Sequence, residues 1–266
     1  MRDETAGSAV RAQLGAGETA RRFGGIERLY GEGALARLSS AHACVVGIGG
    51  VGSWAAEALA RSGIGRLTLI DLDHIAESNL NRQAHALEAT LGMAKVLAMA
   101  VRIAGINPAC GVTCVEEFVA EDNVAALLPS CDLVLDCIDQ VKAKAALIAH
   151  CRKLGIAVVT TGGAGGRVDP TQIRIADLSR TTQDALASKL RAKLRRDYGF
   201  PRDPKQKFRV PCVFSPEPIR RPQTLACDVD EAGLHGLSCA GYGSSMAVTA
   251  AFGLAAAAHG LGILLG

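Results

Sequence analysis

The chain has 266 residues and a formal net charge of +3, with 49% hydrophobic but only 4% aromatic residues. Such a supply of small aliphatic side chains is typical of a parallel sheet covered by alanine-rich helices. The nine cysteines are an odd number, no two form a C-x-x-C pair, and no basic start precedes an apolar run at the N-terminus. We therefore exclude a secretory signal and a structural zinc site, and we expect reduced thiols in a cytoplasmic protein.

The first part of the chain predicts an α/β sheet after a leader. Residues 1–20 lack apolar periodicity and are expected to be a disordered leader to a single domain over 21–266, which opens with a short helix ending near Leu38. Strand-length apolar runs then alternate with helical patterns, which predicts a Rossmann-like, mostly parallel sheet with flanking helices. The predicted strands are 43–48, 66–70, 112–116, 133–137, 157–161 and about 172–176, and the predicted helices are 51–62, 93–104, 122–128 and 141–154.

The pattern changes after Gly162, where a glycine-rich joint (GGAGG, 162–166) leads towards a basic insertion over about 179–225. This insertion is expected to hold a charged helix near 184–197 and then a loop rich in proline and arginine. Residues 189–221 contain eleven Lys or Arg and three acidic residues, a local charge of +8, while the rest of the chain carries −5. Two interpretations stay open at this point: a polyanionic partner such as RNA, or a solvated helix and loop face.

The last predicted element is an apolar helical segment at about 240–266. No Asp, Glu, Lys or Arg occurs from Ala232 to Gly266, which is long enough to cross a bilayer. The segment is nevertheless dominated by Ala and Gly and is interrupted by His235 and His259. We favour a helix buried in the core or in a dimer interface over membrane association.

A glycine turn after the first strand predicts a nucleotide site. GIGGVG satisfies G-x-G-x-x-G through Gly47, Gly49 and Gly52, and it lies between a predicted strand and a predicted helix. Asp71 ends the next strand 19 residues later, where a ribose-binding carboxylate belongs. Taken alone, this motif is weak and fits a dinucleotide such as NAD.

The residues after Asp71 favour a triphosphate instead. Within 25 residues the chain supplies charged and amide side chains that a hydride-transfer cofactor does not need, and no G-x-x-x-x-G-K-[ST] P-loop occurs. The set comprises Asp71, Asp73, Asn79, Arg82, Gln83 and Lys95. We expect Arg82 and Lys95 to neutralise the phosphates. Asp139, at the end of the strand LVLDCID, is expected to hold Mg²⁺, although it could also cap the helix that begins near Val141.

These motifs resemble the ATP-dependent, ThiF-type adenylating family, which includes the activating enzymes of ubiquitin-like and sulfur-carrier proteins. The resemblance rests on GIGGVG (47–52, including Gly50), LIDLD (69–73), SNLNRQ (78–83), GMAK (92–95) and LVLDCIDQ (133–140). It implies the ubiquitin-activating-enzyme-like adenylation fold, with ATP and Mg²⁺ as cofactors. It also implies that Asp71 binds the ribose, that Asn79, Arg82 and Lys95 contact the phosphates, and that Asp139 holds the metal.

Three further stretches are similar to one branch of this family, whose members act on tRNA. They are RRFGGIERLYG (21–31), TTGGAGGRVDPTQI (160–173) and CVFSPE (212–217). The branch implies adenylation of the threonylcarbamoyl carboxylate of threonylcarbamoyladenosine beside the anticodon, followed by ring closure. It further implies a homodimer, a sulfur-acceptor system as a further partner, and a monovalent cation bound by backbone carbonyls of the glycine-rich joint and the C-terminal loops. The sulfur-carrier activators of the same family have an arginine finger that reaches into the partner subunit's site. Gly25 stands at that place here, so Arg22 or Arg21 is the candidate substitute.

Two sets of residues outside the nucleotide motifs are assigned candidate roles. Cys212 is the one cysteine considered as a nucleophile or sulfur acceptor, against the alternative of an unreactive loop cysteine. The tRNA phosphates would meet the basic segment. Its candidate RNA-binding residues are Lys189, Arg191, Lys193, Arg195, Arg196, Arg202, Lys205, Lys207, Arg209, Arg220 and Arg221.

Two other functions remain as alternatives from the sequence. The same nucleotide site could adenylate the C-terminal carboxylate of a ubiquitin-like or sulfur-carrier protein, although the paired C-x-x-C zinc ligands usual in that branch are absent. The G-x-G-x-x-G motif alone would also fit an NAD-binding oxidoreductase or sensor. Pyrophosphate exchange driven by a carrier protein would favour the first alternative, and NAD binding without any response to ATP would favour the second.

Overall fold

A computed structural model describes residues 15–220 and 242–266 of the chain. The helices are α1 (Ala16–Tyr30), α2 (Ala34–Ser40), α3 (Gly52–Arg61), α4 (Lys95–Ile106), α5 (Val124–Leu127), α6 (Val141–Leu154), α7 (Ala185–Asp197) and α8 (Met246–Leu265). The strands are β1 (His42–Val46), β2 (Arg66–Ile70), β3 (Gly111–Val115), β4 (Leu133–Asp136), β5 (Ala157–Thr161), β6 (Arg174–Asp177) and β7 (Pro211–Phe214).

The seven strands form one sheet in the order β3-β2-β1-β4-β5-β7-β6. Every neighbouring pair is parallel except β6 and β7, which are antiparallel. This confirms the predicted α/β, mostly parallel fold. The strand order reverses between β1 and β4, and in open α/β sheets ligands bind at the carboxyl edge beside such a reversal.

Alternating strand residues feed two cores, one on each face of the sheet. On β1, Val45 faces a core shared with α3, α4 and α8, while Cys44 and Val46 face a core shared with α5, α6 and α7. On β4, Leu133 and Leu135 join the first core and Val134 joins the second. Burial on both faces explains why these strands read as continuous apolar runs in the sequence.

Two parts of the chain differ from the predicted elements. Helix α1 begins at Ala16, inside the predicted leader, and residues 1–14 lie outside the described residues. The segment predicted as a basic insertion contributes α7 and also β7, which pairs with both β5 and β6. It is therefore continuous with the main sheet, and its last residues, including Arg221, lie outside the described residues.

Helix α8 is buried along one side. Gly253 and Gly260 allow this close packing, since a Cβ at Gly253 would lie 2.3 Å from the Val51 carbonyl oxygen and one at Gly260 would lie 2.6 Å from Leu133 Cδ2. Within the described residues it is the one helix long and apolar enough to cross a membrane, and half of its most apolar stretch is buried inside the protein. The prediction of a packed core helix is confirmed for this side, while Leu254 and Ile263 are exposed on the other.

Candidate active site

A cleft of about 760 Å³ opens at the carboxyl edge of β1, β2 and β4. It brings together ten of the eleven residues predicted from the nucleotide motifs. They are Gly47, Gly49, Gly50, Asp71, Asp73, Asn79, Arg82, Gln83, Lys95 and Asp139. These residues come from the loops after β1, β2 and β4 and from the first residue of α4, so the parallel sheet gathers segments that are far apart in sequence.

Glycine is required at two positions of the 47–52 turn for steric reasons. Gly47 has φ = +87°, a left-handed conformation that disfavours other residues. A Cβ on Gly52, which does not line the cleft, would lie 1.8 Å from the Gly47 carbonyl oxygen. The turn can thus close tightly and present its backbone N–H groups to an anion at the start of α3.

Replacing Gly52 with alanine is expected to distort this turn and to weaken nucleotide binding by at least about tenfold, because the added methyl group meets backbone rather than a movable side chain. Isothermal titration with ATP measures the effect. Gly105→Ala in α4 is the matched control, since a Cβ there meets nothing within 4 Å. Unchanged ATP affinity in Gly52→Ala would show that the turn relaxes without consequence.

Asp71 is held rigidly at the floor of the cleft. One carboxylate oxygen accepts a hydrogen bond from the Ile48 N–H (2.6 Å) and the other accepts one from the Asp73 N–H (2.9 Å). Burial raises the pKa of the Asp71 carboxyl, and the positive charge of Lys95 and the two N–H donors partly offset this. Each carboxylate oxygen can accept a further hydrogen bond, so the residue remains able to receive a sugar hydroxyl.

The two predicted phosphate cations are both fixed by neighbours. Lys95 is almost fully buried, and its Nζ lies 2.6 Å from Asp73 Oδ2. Arg82 donates from one guanidinium nitrogen to the Ser78 carbonyl (2.7 Å) and the Asn81 Oδ1 (2.9 Å). A Cβ on Gly50 would lie 3.1 Å from Arg82 Cγ, so the arginine stem lies directly over the glycine turn.

The amide side chains near Arg82 differ in their surroundings. Asn79 Oδ1 accepts a hydrogen bond from the Ala76 N–H (3.2 Å), which holds the start of the loop. Gln83 is buried, and in the described part of the chain its Oε1 has no hydrogen-bond partner. An acceptor left unsatisfied in a buried place costs free energy, which favours a ligand or water as its partner.

Asp139 is exposed in the loop between β4 and α6. Its carboxylate accepts no hydrogen bond from the described residues, and the residue at the start of α6 is Gln140, so the alternative role of Asp139 as the helix cap is not realised. The described residues contain no group of three or more His, Cys, Asp or Glu that could hold a metal by itself. A single free carboxylate facing a phosphate site is nevertheless a usual way to bind Mg²⁺, with the remaining ligands from phosphate and water.

A buried ion pair that the sequence analysis missed supports this loop. Lys144 Nζ lies 3.0 Å from Asp136 Oδ2, and neither side chain has exposed surface. Lys144 also donates to the Ile138 carbonyl (2.8 Å), and the Thr160 hydroxyl donates to Asp136 Oδ2 (2.6 Å). The pair ties α6 and β5 to the backbone immediately before Asp139. A lysine in a predicted amphipathic helix gives no sequence signal for such burial.

Other residues that sequence reasoning missed line the cleft from distant parts of the chain. Phe118 follows β3 and half of its surface is exposed, and Thr249 comes from α8. Lys189, predicted as an RNA-binding residue, lies on α7 and also lines the cleft. The basic segment therefore reaches the cleft through Lys189.

A second, smaller pocket adjoins the cleft. It has a volume of about 60 Å³ and shares Val51, Cys137, Ile138 and Asp139 with the cleft. Its far side is formed by Thr161, the glycine-rich joint, Leu186, Ile219 and Tyr242, and the walls are mostly apolar. We call it the small pocket.

Two of the three charged residues that line the small pocket, Arg167 and Asp184, bind each other, while the third is Asp139. Arg167 is buried and donates to the carbonyl oxygens of Gly163 (2.8 Å) and Glu217 (2.6 Å), and its guanidinium lies 3.4 Å from Asp184 Oδ2. Asp184 in turn accepts from the Gly163 N–H (3.0 Å). The guanidinium thus takes up one carbonyl oxygen of the joint, that of Gly163, and the expected monovalent cation stays a prediction.

The basic segment contains two kinds of residue. Three of its members have structural contacts: Arg191 bonds the Thr181 hydroxyl, Lys193 pairs with Asp197 (2.7 Å) and Arg195 bonds the Pro201 carbonyl (3.2 Å). The other described members are exposed, although Arg196 also pairs with Asp197 and Arg220 lies 4.0 Å from Glu217. The exposed set is Lys189, Arg196, Arg202, Lys205, Lys207, Arg209 and Arg220.

The structure also locates Cys212 and Arg22, whose predicted roles lie outside the cleft. The prediction that Cys212 lies in a loop is wrong, because it is in β7 without exposed surface, where burial raises the pKa of its thiol far above the ordinary value. A buried thiol that resists ionisation is unsuited to act as a nucleophile.

Arg22 lies on α1, pairs with Glu18 (2.9 Å) and does not line the cleft. A finger role in a second copy of the chain therefore stays a prediction.

Comparison with known proteins places this site in a defined group. A model of the ThiF family matches residues 24–266. The tRNA threonylcarbamoyladenosine dehydratase of Escherichia coli K12 is 53% identical over 91% of this chain and 92% of its own length, and that of Haemophilus influenzae is 50% identical over 92% and 94%. A crystal structure of the E. coli protein in complex with ATP has a TM-score of 0.85 at 49% identity, covering 95% of this chain and 97% of the other.

Proposed function

The chain belongs to the ThiF family, and from its site we propose that it is an ATP-dependent enzyme that cyclises the threonylcarbamoyl group of threonylcarbamoyladenosine in tRNA. The observation that carries this proposal is the single cleft that joins the glycine turn to Asp71, Arg82, Lys95 and Asp139. The dehydratases described above, which match almost the whole chain, support the same reaction. tRNA is the substrate, and we place the reaction in the cytoplasm, where tRNA is found.

The reaction has two steps that balance without an oxidant or reductant. A carboxylate oxygen of the threonyl unit attacks the α-phosphorus of ATP, the bond to the bridging oxygen breaks, and pyrophosphate leaves. A neighbouring nitrogen of the same substrate then attacks the acyl carbon and loses its proton, and AMP leaves with the former carboxylate oxygen. Because the nitrogen is already part of the substrate, ring closure has the advantage of an intramolecular reaction.

The cleft residues act by binding and charge neutralisation. Asp71 orients the ribose, and the turn at 47–52 approaches the phosphates with backbone N–H groups. Arg82 and Lys95 reduce the negative charge that would repel an incoming carboxylate, and such preorganised charge is often the largest contribution to catalysis. Asp139 is the residue that would hold Mg²⁺, which supplies further neutralisation of the polyphosphate when bound.

The proposed reaction is tested with purified tRNA that carries threonylcarbamoyladenosine. We expect AMP and pyrophosphate to form only when this tRNA, ATP and Mg²⁺ are all present, and the nucleoside to lose the mass of one water. Heavy oxygen placed in the threonyl carboxylate should appear in AMP. AMP formation at background level with this tRNA would overturn the proposal. A response to a carrier protein ending in Gly-Gly, or to NAD alone, would support the corresponding alternative.

We further propose that exposed residues of the basic segment contact tRNA phosphates. Replacing Arg202, Lys205 and Lys207 with alanine is expected to weaken tRNA binding and to lower the salt dependence of the binding constant by about 0.7 to 0.9 per lost contact. The side chains are exposed, so the fold should be unaffected. Filter binding across a salt series measures the slope.

The matched control replaces three exposed basic residues elsewhere, Arg28, Arg66 and Lys153. In this control variant, the salt dependence of the tRNA-binding constant should equal that of the unaltered protein. The affinity for ATP should not change in either variant. An equal loss of tRNA binding in both variants would indicate only a dependence on net charge, and no loss in the first would place the tRNA on another surface.

We infer a homodimer as the functional form. The exposed side of α8 carries Leu254 and Ile263, and such apolar side chains are more stable when covered by a partner. Multi-angle light scattering would give a single monomeric mass if this is wrong. We do not extend the proposal to sulfur transfer, because Cys212 is buried, and Cys227 and Cys239 lie outside the described residues.

A further inference from the structure

The small pocket opens beside Asp139, the residue proposed above to hold Mg²⁺. It shares Val51, Cys137, Ile138 and Asp139 with the cleft, so a group bound in it lies beside whatever Asp139 faces. If ATP occupies the cleft with its phosphates beside Asp139, as proposed above, a carboxylate that attacks them from the side of the small pocket passes this junction. The rest of the amino-acid unit then needs space on the far side of Asp139.

The size of the small pocket limits what can enter. Its volume is about 60 Å³, against about 760 Å³ for the cleft. A typical pocket for a whole small-molecule ligand has about 300–1,000 Å³, and a cavity needs about 10–15 Å³ of such space to hold one water. The small pocket therefore has room for only a few heavy atoms. The side chain of threonine beyond Cα has three, a methyl group, a hydroxyl group and the carbon that bears them.

The walls suit an uncharged group. Leu186, Ile219 and Ala164 provide apolar surface, and Thr161 provides a hydroxyl. The charges of Arg167 and Asp184 are buried and used within the wall, since Arg167 binds backbone carbonyls and Asp184 accepts from Gly163 and Ala187. They fix the shape of the glycine-rich joint and leave no free positive charge for a carboxylate or phosphate, since the remaining charged lining residue is Asp139.

We propose that the small pocket holds the threonyl side chain of the substrate and thereby selects threonylcarbamoyl over glycylcarbamoyl adenosine. This inference rests on the proposed function. The glycine-rich joint matters because its backbone forms the wall: a Cβ on Gly163 would point towards Leu186, 3.9 Å from its Cβ, an ordinary contact distance. A methyl group can therefore be added there without strain, at the expense of space in the pocket.

The test compares two tRNA substrates, one carrying threonylcarbamoyladenosine and one carrying its glycyl analogue, which lacks the side chain. We expect the unaltered enzyme to prefer the threonyl substrate in kcat/KM. Gly163→Ala should lower kcat/KM for the threonyl substrate by about tenfold or more, because this is the usual effect of one methyl group in a filled pocket. The same variant should change kcat/KM for the glycyl substrate by about twofold or less. Gly105→Ala, with open space around its Cβ, is the matched control and should alter neither.

A second variant keeps the test decisive if Gly163→Ala folds poorly. Leu186→Ala enlarges the small pocket, so the threonyl preference should fall while turnover of the glycyl substrate remains. An equal effect of either variant on both substrates, or no effect on the preference, would overturn the assignment of the pocket. No AMP from either substrate with the unaltered enzyme would instead overturn the proposed function, and this assignment with it.

Discussion

Asp139→Ala is expected to lower ATP-dependent AMP formation by at least about 100-fold while leaving the fold intact. The side chain is exposed and has no hydrogen-bond partner among the described residues, so its loss should change the free energy of unfolding by about 0.5 kcal/mol or less. The same carboxylate lines both the cleft and the small pocket, where the reacting groups would meet. Rates of AMP release and thermal melting, measured side by side, separate the two effects.

The control for this variant is Asp122→Ala, another exposed carboxylate that lines neither cavity. It should release AMP at the rate of the unaltered enzyme. Asp139→Asn should also be nearly inactive, because a neutral amide is a much weaker ligand for Mg²⁺ than a carboxylate. Near-normal AMP release by either Asp139 variant would remove this residue from the proposed chemistry.

Lys144→Met is expected to reduce the free energy of unfolding by about 3–5 kcal/mol, because it leaves the carboxylate of Asp136 buried without its counter-charge. It also removes the hydrogen bond to the Ile138 carbonyl, so the loop that carries Asp139 loses its support. Urea denaturation followed by circular dichroism measures the stability. The variant should also have reduced turnover where it remains folded.

Lys153→Met is the matched control, since Lys153 is on the same helix and exposed. Lys153→Met should change the free energy of unfolding by about 0.5 kcal/mol or less. The double variant Asp136→Asn with Lys144→Met should cost less than the sum of the two single changes, because no unpaired charge remains. Additive costs would show that the two side chains do not interact, and an unchanged midpoint in Lys144→Met would show that the buried pair is not formed.

The sheet and most of the cleft follow from local sequence pattern. Asp71 and Asp139 each lie directly after an apolar strand or one short loop beyond it, and parallel strands bring such positions to one edge. The glycine turn could also be predicted from the sequence. Gly47 and Gly52 of its motif occur at positions where the structure cannot accommodate a side chain. In these cases the local pattern and the tertiary structure agree.

Other features depend on contacts that no local pattern records. Strand β7 has only four residues and lies among arginines and prolines, so its pairing with β5 and β6 could not be seen in the sequence. The sequence pattern indicates that Lys144 is a surface residue of a helix. In the structure it is buried, because its partner Asp136 lies on a buried strand. Thr249 reaches the cleft only because α8 packs against α3.

The position of α8 also has a consequence for synthesis of the protein. This helix is made after every other described element, yet it packs against α3 and β4 and contributes Thr249 to the cleft. A nascent chain that has not released residues 246–265 from the ribosome thus has an unfinished nucleotide site and an uncovered apolar surface. We expect such an incomplete chain to bind ATP more weakly than the full chain.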